Sequence, residues 1–255
     1  GGDTSFRYAV NLQYNGVAGV MKKSARNSFN GGITLSYQHR DFLFTNDLSI
    51  GHTKSNDSPY GSFSDYTRLN PYWKPYDDEG NIIKLFDNDV DFFGGFSNLP
   101  ANPLYNATLH QKNSTAYTDI TNNFAIEWRP VNGLITRARV SYTWQDSESD
   151  DYKPASHTMF EADEYQTDEG ALRKGRYVYG TGKVNNYEVA LTASYSKIFA
   201  EKHLLYTAVN WNLRQDYSRS YSFTLEGFPD ETLDFPSNAL QYQKGGKPSG
   251  AESKT

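Results

Sequence analysis

The sequence contains no cysteine, which removes disulfide frameworks, thiolate metal sites and thiol nucleophiles from consideration. It also lacks any run of the roughly 18 to 20 apolar residues that a membrane-crossing helix needs. Positive charge is not in excess: 25 Lys and Arg stand against 30 Asp and Glu, a net charge of -5 spread along the chain. No basic stripe suits nucleic acid, so that partner class is excluded. The five histidines, His39, His52, His110, His157 and His203, show no HExxH-like spacing, and no GxSxG elbow occurs. Carboxylates are plentiful, yet nothing singles out a pair that would flank a scissile bond. Enzyme activity is not expected.

Aromatic residues, by contrast, are abundant. Twenty Tyr, fifteen Phe and four Trp occur in a chain whose mean hydropathy is only -0.74. Outer-membrane β-barrels combine these features, because only alternate residues of short strands meet lipid, aromatic girdles mark both interfaces and the outer loops are polar.

The most informative stretch is Asn123 to Trp144. Phe124, Ile126 and Trp128 alternate with Ala125, Glu127 and Arg129; after Pro130-Val131-Asn132-Gly133, Leu134, Ala138, Val140 and Tyr142 alternate with Arg137, Arg139, Ser141 and Thr143. A period of two places successive side chains on opposite faces of a strand, and Asn-Gly favours the positive φ angles of a tight hairpin. The same period predicts strands near 5–14, 31–39, 41–52, 117–129, 134–145, 183–196 and 203–224. Between them lie long polar segments at 15–30, 53–116, 146–182 and 225–255, and the last is expected to end the chain without a closing strand. Asp146, Glu148, Asp150 and Asp151 read as part of an acidic loop.

Long and short connections alternate strictly along this chain. Transmembrane barrels have short turns on one side and long loops on the other, whereas sandwiches distribute loop lengths between both ends. The expected fold is therefore all-β, an antiparallel transmembrane barrel segment of about seven strands, and residues 1–255 all belong to that one domain. Seven strands do not close a cylinder, so they read as part of a larger barrel. The alternative is a soluble β-rich surface module that binds carbohydrate. The start, Gly1-Gly2-Asp3, carries no export leader, which is expected to be absent or already removed.

Several phrases resemble the SusC/RagA family of TonB-dependent outer-membrane transporters: GVMKKSAR (19–26), SPYGSFSDYTRLNPYWKPYDDEGN (58–81), NPLYN (102–106), TDITNNFAIEWRPVNGL (118–134), GFPDETLDF (227–235) and KPSGAES (247–253). The resemblance implies a 22-stranded barrel around an internal plug, located in the bacterial outer membrane and capped by a SusD-like lipoprotein. It implies nutrient import, of glycans or peptides, driven by TonB through a segment outside this sequence.

On that reading the functional residues recognise a ligand. Tyr60, Phe63, Tyr66, Tyr72, Trp73 and Tyr76 suit stacking on sugar rings or packing on peptide side chains. The competing role for them is packing within the loop and against the lid protein. Arg7, Glu127, Arg137, Arg139 and Glu188 are expected to face the barrel interior, since their neighbours face lipid. No cofactor is expected. Asp87, Asp89 and Asp91 alternate like the opening of a calcium loop, but Phe92 stands where an EF-hand needs glycine and no glutamate closes the loop, which leaves calcium a weak candidate.

Overall fold

The computed structural model describes residues 1–86 and 100–255. Seven long strands follow one another: β1 (Phe6–Ala18), β2 (Ala25–His39), β3 (Phe42–Asn56), β4 (Lys112–Trp128), β5 (Leu134–Lys153), β6 (Arg176–Phe199) and β7 (His203–Glu226). Each is antiparallel to the next, and spatial order equals chain order. The chain is all-β, a barrel-like antiparallel sheet, as the alternation predicts.

Pairing is one to one over long distances, from Arg176↔Glu226 to Phe199↔His203 in the β6–β7 hairpin. This register lines side chains up in rows across the sheet. One row runs Tyr8, Leu35, Asn46, Phe124, Val140, Val189 and Leu213 over β1 to β7. The parallel rows from Phe42 and Trp128 to Ile50, Ile120 and Trp144 complete an apolar band on this face. The band is five rows tall, about 27 Å along the strands at two residues per row. Tilted by about 40°, that is about 20 to 25 Å of height, close to the lipid-facing band of an outer-membrane barrel. Its side chains are largely exposed, among them Val10, Leu12, Val140, Val209 and Leu213. The opposite face carries Ser, Thr, Asn, Gly and charged residues.

The turns at one end of the sheet are short: Arg40-Asp41, residues 129–133 and residues 200–202. Three non-glycine residues there take positive φ, Arg40 (53°), Ala200 (51°) and Glu201 (60°). In the Asn-Gly turn only Gly133 does (89°), while Asn132 does not. A Cβ at Gly133 would stand 2.2 Å from the Ser196 carbonyl oxygen, because the Ser196 amide donates to Gly133 O at 2.8 Å.

At the other end the strands extend further than the hydrophobic period indicates. The segment expected at 15–30 contracts to 19–24, that at 53–116 to 57–111, and that at 146–182 to 154–175. Asp146, Glu148, Asp150 and Asp151 belong to β5, the first three on one face and Asp151 on the other, and form no loop. The expectation that 225–255 is loop throughout is also corrected. Two short strands, β8 (Gln241–Tyr242) and β9 (Ser249–Lys254), add to the far edge of β7. Beyond the apolar band the contrast between the two faces ends, so the side-chain alternation fades while the backbone ladder continues.

Over these upper ends lies the main buried cluster, Tyr152, Tyr177, Leu225 and Phe228. Tyr152 packs edge-on against Phe228 at 5.2 Å. The segment that follows β7 thereby folds back on β5 to β7 and covers apolar surface above the band.

Candidate ligand-binding mouth

The connecting segments at the upper end fold into a small structured layer. In residues 57–86, Ser62 caps α1 (Phe63–Thr67) by accepting from Asp65 N at 3.2 Å. Asp77 accepts from the amides of Glu79 (3.0 Å) and Asn81 (2.7 Å) around Gly80, whose φ is 89°. That tight turn lets Tyr76 pair with Ile82. The Asn81 side chain, whose Nδ2 donates to Asp77 Oδ2 at 3.0 Å, and then these backbone bonds hold the Asp77 carboxyl below the usual range.

Asn102 is the keystone of the layer, with 0% exposure. Its Nδ2 donates to Pro75 O at 2.9 Å and Ile83 O at 2.7 Å, and its Oδ1 accepts from Leu104 N at 3.1 Å. One side chain thus closes the 75–83 hairpin and caps α2 (Pro103–Asn106). Asn106, at the other end of that single turn, donates to Thr158 Oγ1 at 2.7 Å and accepts from Thr158 N at 3.2 Å. With the Lys84–Glu161 ion pair, this bond joins the 57–111 segment to the 154–175 segment. Both asparagines of the NPLYN phrase are therefore structural.

Between these segments and residues 20–24 lies a cleft of about 1130 Å³. Its walls include Lys23, Asp57, Tyr60, Asp65, Asp151, Lys153 and His157. Each of these lysines is engaged: Lys23 donates to Ala107 O at 3.3 Å and sits 5.9 Å from the centre of the Tyr60 ring, and Lys153 pairs with Asp151 at 2.9 Å. Burial, aided by the nearby Lys153 charge, pushes the His157 pKa down to about 4. The neutral ring accepts from Met159 N through Nδ1 at 3.1 Å, capping a short 3-10 turn.

The six aromatics expected to contact ligand divide among three places. Tyr60 lines the cleft, with one face taken by Lys23. Tyr72, Trp73 and Tyr76 border a second hollow together with Phe86, where Trp73 stacks on Phe86 at 5.1 Å and 28°. Tyr72 is 90% exposed, and Phe63 and Tyr66 project from α1 into solvent. Sequence reasoning missed Lys23, His157 and the keystone asparagines. Only the NPLYN phrase carried a sign of the last.

Of the charged residues expected inside, all five stand on the polar face of the sheet. Glu127 is 5% exposed and lies between Arg129, at 2.6 Å, and Arg137. Arg139 pairs with Glu188 at 2.6 Å. Arg7 stands apart on β1, with no ion pair among the described residues. Asp87, Asp89 and Asp91 lie outside the described residues.

A sheet of this register, with an apolar and a polar face and a structured layer at one end, has close counterparts among solved structures. The RagAB peptide importer in its closed-closed state matches 99% of this chain with a TM-score of 0.77 and 14% identity. The structure of the RagAB peptide transporter matches 100% of it, again with a TM-score of 0.77 and 14% identity, and the open-open importer matches 99% at 0.77 and 15%. The fold is that of a barrel segment of these importers. The chain spans 27% of the length of each matched importer chain. No family model and no curated protein matches the sequence. At this identity the likeness is one of fold alone.

Proposed function

We propose that this chain is part of a TonB-dependent outer-membrane transporter of the SusC/RagA kind, which imports oligopeptides or glycans with a SusD-like lipoprotein as its lid. The observation that carries the reading is the two-faced sheet: an exposed apolar band about 27 Å long on one face, a polar face behind it, and structured segments at one end only. The barrel counterparts support it.

The apolar band meets lipid, the polar face becomes the lumen wall, and the mouth layer meets ligand and lid. The work is recognition and passage, without covalent chemistry, and TonB acts through a segment outside this sequence. Charges of both signs in the mouth cleft favour peptides, whereas the open Tyr72 ring is the feature that suits a sugar.

The test is a pair of substitutions in the intact, exported protein. Val140 lies in the middle row of the band, and Ser141 is its neighbour on the polar face. Val140→Arg is expected to cost about 2 to 4 kcal/mol of membrane stability and Ser141→Arg close to nothing. Outer-membrane fractionation and the heat-modifiable gel shift read both. Equal behaviour of the two variants, in a protein that stays monodisperse in water without detergent, would instead establish the soluble carbohydrate-binding module.

A further inference from the structure

On the polar face near the short turns lies a basin of about 330 Å³ whose lining includes Ala125, Glu127, Arg137, Arg139, Ala190 and Thr192. Its shape follows from the register. Arg139 stands between two alanines, Ala125 on β4 and Ala190 on β6, and Arg137 stands between Glu127 and Thr192. The two guanidiniums belong to alternate positions of one strand and are drawn apart, Arg137 to Glu127 on β4 and Arg139 to Glu188 on β6. Small side chains leave the space between them open.

Arg129 and Arg137 hold Glu127 and Arg139 holds Glu188, while Asp41 lies across from Arg129 at the turn. Arg214, across from Glu188, is neutralised by Asp216 at 2.7 Å. Asp47 stands on β3, one row above Thr45, and is not in the lining. The Arg137 and Arg139 side chains are half-exposed, while the carboxylate of Glu127, which Arg137 shares with Arg129, is nearly buried. Several of their N–H donors therefore face the basin. A planar fork of N–H donors matches a carboxylate.

We propose that this basin is a carboxylate site on the lumen wall, with Arg137 and Arg139 as its clamp. The inference rests on the polar face being a lumen wall. The carboxylate comes either from a passing ligand, such as a peptide C-terminus, or from an acidic side chain of polypeptide that occupies the lumen.

The experiment uses the intact detergent-solubilised protein and phenylglyoxal, with modified arginines identified by peptide mapping. Arg214 is the reference, since it is similarly exposed and holds one carboxylate. Added N-acetyl-dialanine with a free C-terminus is expected to slow Arg137 and Arg139 about tenfold when it fills about nine-tenths of the sites, and its C-terminal amide to leave them unchanged. That pattern identifies a ligand carboxylate. If the carboxylate is internal, the acid has no effect, and carbodiimide labels one Asp or Glu in the Arg137→Gln/Arg139→Gln variant that it does not label in the unmodified protein, other than Glu127 and Glu188, which lose their own partners there. Protection by inorganic phosphate but not by the acid overturns the proposal, as does the absence of both acid protection and a newly labelled carboxylate beyond those two. Such a failure leaves the Val140→Arg and Ser141→Arg contrast intact, whereas failure of the transporter reading appears in that contrast first.

Discussion

Replacing Asn102 offers the sharpest test of how the mouth is built. In Asn102→Ala the Ile83 carbonyl loses the donor at 2.7 Å, Leu104 N loses its cap, and Pro75 O keeps only the bond from Ile83 N at 3.1 Å. An orphaned buried carbonyl costs about 1 to 3 kcal/mol and a lost cap about 0.5 to 2 kcal/mol, so the hairpin and α2 lose about 2 to 4 kcal/mol together. Asn102→Asp preserves the cap acceptor but sets a second oxygen against two carbonyls, and is expected to do at least as much damage. Hydrogen exchange on the intact protein reads the effect amide by amide. Ile83 and Leu104 should exchange about 30-fold to 1000-fold faster, one power of ten for each 1.4 kcal/mol. Val189 and Leu213, in the β6–β7 ladder, should not change. If Ile83 and Leu104 stay within about threefold of the unmodified protein, below 1 kcal/mol, the layer is not keyed on Asn102 and the argument for a preformed mouth fails.

Three further outcomes follow from the same geometry. His157 has a pKa of about 4 in the fold against about 6.5 in the unfolded chain. The unfolded chain therefore takes up the proton first, and stability of the mouth layer is full above about pH 6.5 and declines toward pH 4 by about 2 to 3 kcal/mol. Limited proteolysis between residues 154 and 175 should accelerate across that window, and His157→Gln should remove the dependence. In the apolar band Asn46 and Asn122 exchange hydrogen bonds, Nδ2 to Oδ1 at 3.1 and 3.3 Å. On the proposed transporter reading, either single change to Leu strands one amide in hydrocarbon and should cost about 1 to 2 kcal/mol, while the double change should recover or exceed the original stability; a denaturant cycle in lipid measures it, and additive singles would refute the lipid contact. Glu226, nearly buried, accepts from Arg173 Nε (2.9 Å), Gln241 Nε2 (2.9 Å) and Lys244 N (2.9 Å). Glu226→Gln should cost about 1 to 3 kcal/mol by weakening the charged bonds and loosen the 241–244 segment, seen as faster exchange at Tyr242.

The sheet was legible in sequence wherever one face is apolar. Phe124, Ile126, Val140 and Leu191 announce their strands because the apolar and polar faces of the sheet impose opposite demands on alternate residues. Above the band that demand ends. Ser147, Ser149, Gly180 and Gly182 continue β5 and β6 with no contrast between faces, so their hydrogen-bonded ladders read as loop. β9 was hidden for the same reason, since Ser249 to Lys254 holds one alanine and no larger apolar side chain. The charged residues of the polar face were legible by elimination, each flanked by apolar neighbours. Their pairing was not, because Glu127 with Arg137 and Arg139 with Glu188 depend on cross-strand register. The mouth was the least legible part: its order comes from single asparagines reaching main-chain carbonyls far along the chain, and that leaves no periodicity.

The uninterrupted register also bears on how such a chain can diverge. Side chains alternate with a period of two, so inserting one residue within a strand reverses every later side chain of that strand. In β7 that would exchange Trp211 and Leu213 with Asn212 and Arg214. Insertions and deletions are tolerated in the connections between strands, above all in 57–111, 154–175 and the stretch after β7, while the strands accept substitutions of like polarity. A lineage under this rule keeps its wall, loses recognisable sequence and rewrites its mouth, which is how an identity of 14% can accompany a TM-score of 0.77.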